Sequence, residues 1–155
     1  VLHTLVAARA VEERNVLYIF DVSLWEEHTM TDRIVSVLDA VHINSPEGHH
    51  FGRPFVSSYQ IAIRLLEADP TLSESLDLDV GGRGTGRHVS LAQYVGQNLS
   101  RQIRADPMHR IEGAFMSSEL VRQVVYRRPG GEEDVVSSLS GTDFDMALFR
   151  LRRPG

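Results

Sequence analysis

A chain of 155 residues, 42 % apolar and 24 % charged, has the balance of a single ordinary globular domain. It holds no cysteine, which excludes disulfides, thiol catalysis and Cys-ligated zinc or iron–sulfur centres. All sixteen basic residues are arginine, so lysine Schiff-base and general-base chemistry are excluded as well.

The absence of lysine fits the arginine-rich codon usage of a high-GC, bacterial-type genome. No run reaches the roughly 18–20 apolar residues of a membrane span. The first residues lack a secretory signal pattern, and a cysteine-free chain suits the cytoplasm. The net charge of −5 is unevenly spread. Residues 1–80 hold five arginines against thirteen carboxylates, residues 81–155 eleven against eight. Such asymmetry points to a phosphate-bearing partner or to contact between the two halves.

In chain order, residues 4–14 (TLVAARAVEER) read as a short helix and VLYIF (16–20) as a buried strand ending at Asp21. TDRIVSVLDAVH predicts a helix capped by Thr31, with Ile34, Val35, Leu38 and Val41 near helical spacing. A GTG start would give Val1, and Met30 is an alternative first residue. Residues 1–29 therefore read as a genuine extension or as an over-long gene prediction, ahead of one α+β domain over 30–155. INSPEGHHFGRPF is a loop by composition. SSYQIAIRLLEADP predicts a helix capped by Ser57 or Ser58 and stopped before Pro70. TLSESLDLDV fits either a helical turn or a strand.

SLAQYVGQNLSRQIRADP gives the clearest helix. Ser90 is its cap, and Leu91, Tyr94, Val95, Leu99 and Ile103 form its apolar stripe. Gly96, unfavourable by about 1 kcal/mol in a helix interior, predicts a close neighbour there. Beyond Pro107 the periodicity changes. IEGAFMSSEL predicts a short strand and a single helical turn, VRQVVYRRPGGEEDVVSSL reads as a hairpin, and residues 144–151 read as a third strand buried on both faces. The class is α+β: N-terminal helices with one early strand, then a C-terminal antiparallel hairpin or meander, an order like that of a winged helix.

Three constellations carry possible chemistry. DVGGRGTGRHVSLAQY (79–94) spaces Gly81 and Gly86 as a P-loop does, but Arg87-His88 replaces Lys-Ser/Thr. Its Gly82, Gly84, Gly86 spacing also misses the dinucleotide-binding pattern by one residue. What remains is an anion site of loop amides with Arg83 and Arg87. His42, Glu47, His49 and His50 are acceptable metal ligands in a Gly/Pro loop, without any HExxH motif. Asp21, with Glu26, Glu27, Asp143 or Asp145, is a further carboxylate set, and its simpler reading is a solvated strand end.

The third constellation is a nucleic-acid surface. Gln93, Gln97, Asn98, Arg101 and Arg104 give the 90–105 helix a polar face, and Arg127 and Arg128 sit at the hairpin tip. The expected function is a non-enzymatic regulatory or interaction module that meets DNA or RNA phosphate through its C-terminal half, with no cofactor. The alternatives are a protein–protein adaptor and, third, a metal-dependent hydrolase or nuclease built on the histidine loop.

Overall fold

The computed structural model describes residues 24–44, 47, 50–82, 89–138 and 145–153. The early helix and VLYIF strand, Asp21, His49, Arg83, Arg87 and Asp143 lie outside them. The chain divides into two units, Val1–Arg33 and Ile34–Gly155. In the first, Trp25 is buried and its indole Nε1 donates to Thr31 Oγ1 at 2.9 Å. That contact explains a shift of the expected cap. Helix α1 spans Met30–Asp39, so Thr31 lies inside it, and Thr29, at φ 50°, turns the chain while its carbonyl accepts from Arg33 N.

In the second unit β1 (Val56–Ser57) runs straight into α2 (Ser58–Ala68). Ser57 closes a capping box: its Oγ accepts from Gln60 N and Gln60 Oε1 accepts from Ser57 N. The ambiguous TLSESLDLDV resolves as a helical turn, α3 (Leu72–Leu76), with Leu72 and Leu76 buried and Asp77 left-handed at φ 53°. Helix α4 (Leu91–Ala105) starts at Ser90 with the same Ser-x-x-Gln box, closed by Gln93. It packs on α2, and Gly96 faces Ser58, whose Cβ would stand 3.6 Å from an added methyl. The close neighbour expected at Gly96 is therefore the start of α2.

Strands β2 (Ile111–Met116), β3 (Gln123–Tyr126), β4 (Val135–Ser138) and β5 (Met146–Leu151) form two small antiparallel sheets with β1. Of the strand and helical turn expected within IEGAFMSSEL, only the strand forms. The hairpin pairs β3 with β4, turning through Pro129–Gly131. The last strand does not extend that hairpin: β5 returns to lie between β1 and β2, in the order β1-β5-β2. Within β5, Met146 and Phe149 are buried and lie on opposite parities, in keeping with the two-parity apolar pattern over Met146–Leu151; Phe144 lies outside the described residues. Ile61, Leu65, Leu91, Val95, Leu99, Ile111 and Phe149 are among the most buried side chains of this unit.

Tyr126 joins the hairpin to the rest. Its ring stacks on Tyr59 at 5.3 Å, and its hydroxyl donates to Met146 Sδ at 3.0 Å. Burial pushes the phenol above its ordinary value of 10.0; a Ser57 hydrogen bond opposes the shift and Tyr59 adds to it. The folded state thus holds the Tyr126 proton after the unfolded chain has lost it. This contribution is fully present below pH 10 and is lost as pH rises beyond it. Urea unfolding at pH 9 and pH 11 is expected to show that loss, and Tyr126→Phe to reduce it.

Candidate functional site

Helix α4 carries no Asp or Glu. Its core side is set by Leu91, Tyr94, Val95 and Leu99, all buried. On the opposite side Gln93, Gln97, Ser100 and Arg104 are exposed. Their spacing of four, three and four residues places them along one face of the helix. Asn98, expected on this polar face, is instead 3 % exposed. Its Nδ2 donates to the Tyr94 carbonyl at 2.9 Å and its Oδ1 accepts from Arg101 at 3.3 Å. Arg101 is accordingly half-buried and part of an internal network, while Arg104 stands in solvent.

Beyond α4 the chain is held by His109. Its Nδ1 accepts from the Ile111 amide at 3.1 Å, so the ring proton sits on Nε2, which faces Gln102 Oε1 at 3.3 Å. This bracket fixes Arg110 at the entry to β2, exposed like Arg104. Neither guanidinium is paired among the described residues.

The other arginines of the C-terminal half are differently used. Arg150 Nε donates to Glu112 at 2.6 Å, its NH1 donates to the carbonyls of Phe51 and Arg53, and its guanidinium lies 4.2 Å over the Phe55 ring. Arg152 donates to the His109 carbonyl and neighbours Glu112. These two tie the 51–55 loop and the end of α4 to the sheet. At the hairpin Arg127 is exposed, whereas Arg128 is ion-paired with Glu132 at 2.5 Å.

The start of α4 offers no free amide to an anion. Leu91 N donates to the Asp79 carbonyl at 2.7 Å, Ala92 N to the Val80 carbonyl at 3.0 Å, and Gln93 N to Ser90 Oγ at 3.1 Å. The donors that a helix N-terminus presents to phosphate are spent on the chain itself. Of the histidine loop, His42, Glu47 and His50 are exposed, and His50 packs against Phe51 with ring centroids 4.1 Å apart. No three His, Cys, Asp or Glu side chains among the described residues are placed to hold a metal ion. No helix among them is long and apolar enough to cross a membrane.

Sequence reasoning missed two features. The structural use of Arg150 and Arg152 depends on Glu112, which only the β2–β5 register brings opposite. The second is a groove of about 660 Å³ between α2, α3 and the hairpin. Its signal was present in the acidic run Glu132–Asp134 directly after the tip arginines. Comparison with protein families, curated proteins and solved structures returns no match to this chain.

Proposed function

We propose that this chain is a non-enzymatic regulatory module that binds duplex DNA through the exposed face of α4. The observation that carries the reading is the carboxylate-free stripe of Gln93, Gln97, Ser100 and Arg104 within α4, with the exposed Arg110 following in sequence after the C-cap Asp106, in a chain of net charge −5. Glutamine reads base edges and arginine meets phosphate or guanine, so the stripe has the side chains of a helix that enters the major groove. RNA duplexes present a major groove too narrow for a helix, which favours DNA.

The architecture is compatible. After α1 and the short β1 come three helices and four strands; with the five-residue α3 and the β3–β4 hairpin set aside, the order, and the pairing of the first strand with the last, parallels a winged helix. In that arrangement α4 is the recognition helix and the β2–β5 connection, which contains the β3–β4 hairpin, is the wing. The contact rests on α4 and Arg110 rather than on Arg128, which is already paired.

Each phosphate neutralised contributes about −0.9 to the slope of log K against log salt. Anisotropy of a labelled DNA duplex across a salt series is expected to give a slope of about −2 to −3. Arg104→Ala is expected to reduce its magnitude by about 1 without changing the fold. A salt-insensitive affinity, or one equal for wild type and Arg104→Ala, contradicts the assignment.

A further inference from the structure

We propose that the groove between α2, α3 and the β3–β4 hairpin docks a peptide segment of a partner protein in which arginine or lysine alternates with small apolar residues. This surface is separate from the α4 stripe and its chemistry has the opposite sign.

The floor of the groove is apolar, formed by Ile63, Leu66, Val80, Val135 and Val136. Among the described residues its rim carries the carboxylates of Glu67, Asp79, Glu132, Glu133 and Asp134 against a single cation, Arg128. Arg64 pairs with Glu67 and Arg128 with Glu132, which leaves Asp79, Glu133 and Asp134 exposed and unpaired among the described residues. Charge complementarity selects a cationic occupant and rejects a polyanion. The carboxylates are not gathered as a metal site requires. A groove with an apolar floor and a charged rim, open along one side, suits an extended chain. Its long basic side chains lay their stems on the floor and their heads against the rim.

The hairpin side of the groove is held to the rest of the unit beside it: Tyr126 stacks on Tyr59, and Gly82 lies so close to β4 that an added methyl would stand 2.7 Å from the Val136 carbonyl.

The test uses the full chain and three fluorescein-labelled peptides at low ionic strength: Gly-Arg-Val-Arg-Val-Gly, Gly-Arg-Ser-Arg-Ser-Gly and Gly-Glu-Val-Glu-Val-Gly. The Arg/Val peptide is expected to bind best, the Arg/Ser peptide more weakly and the Glu/Val peptide not at all. Asp79→Asn/Glu133→Gln/Asp134→Asn is expected to weaken Arg/Val binding about tenfold or more. Asp77→Asn/Asp106→Asn/Glu119→Gln changes net charge equally at exposed positions of the same unit that do not line the groove and is expected to leave binding unchanged. Absence of binding, equal binding of the Val and Ser peptides, or equal loss in the two triple variants would overturn the proposal. Because duplex binding is not measured, failure here leaves the α4 assignment standing.

Discussion

Phe149→Ala is expected to lower the unfolding free energy by about 3–5 kcal/mol, the usual cost of emptying a large aromatic site in a core. Phe149 is 2 % exposed and lies on β5, the strand shared by both neighbours in the sheet. It stands opposite Gly113 on β2, and the edge of its ring is 3.6 Å from where a Gly113 side chain would begin. The missing side chain at Gly113 thus makes room for the ring. At this chain length the loss corresponds to a fall in Tm of roughly 10 °C or more. Val125→Ala, at a position 53 % exposed, supplies the contrast and is expected to stay within about 0.5 kcal/mol of wild type. Urea or thermal unfolding of the two variants decides it; a Phe149→Ala cost below about 1 kcal/mol contradicts this core.

Gly82→Ala is expected to cost about 3 kcal/mol for a different reason. Gly82 has φ +101°, a region that side chains rarely adopt, and an added Cβ would meet the Val136 backbone carbonyl at 2.7 Å. A carbonyl inside the hairpin ladder cannot move aside without straining β4. Gly81, at φ +116°, is held similarly, with an added Cβ 2.6 Å from the capping Ser90 Oγ. The opening glycines of the GGRGTG run therefore have a packing duty: they let the chain pass close to β4 and then reach the cap of α4. Gly130→Ala has a positive φ but nothing within 4 Å, so strain alone is expected there and a smaller loss. Equal melting of Gly82→Ala and Gly130→Ala would contradict the close approach to β4.

Features governed by near neighbours in sequence were legible. The cap at Ser90, the cap at Ser57 (one of the two serines the sequence offered), the 3.6-residue stripe of Leu91, Tyr94, Val95 and Leu99, and the Pro-Gly-Gly hairpin are set within a few residues, and the structure holds them where those patterns lie. Pairings across long separations were not legible. Two residues, Val56 and Ser57, are too few for any alternation to declare a strand; they form one because β5 arrives beside them. The same register places Glu112 opposite Arg150 and takes that arginine out of the solvent-facing set.

The candidate surface was legible only in part, since residue type does not report burial. Gln93, Gln97 and Arg104 share the exposed side, while Asn98 and Arg101, identical in chemistry, turn partly or wholly inward because Asn98 lies one residue before Leu99 on the packed side. Charge counting favoured the C-terminal half as a whole. Yet among the described residues Arg150 and Arg152 are ties within the fold and Arg128 is paired at the hairpin, while Arg104, Arg110 and Arg127 are exposed and unpaired.

Titration of the isotopically labelled chain with a DNA duplex, followed through its backbone amide resonances, addresses that last group directly. Progressive shifts at Gln93, Gln97, Ser100, Arg104 and Arg110, with the acidic groove around Glu133 unmoved, are the result expected if α4 is the DNA-contacting helix. Shifts centred elsewhere, or a spectrum that DNA leaves unchanged at low salt, would contradict it.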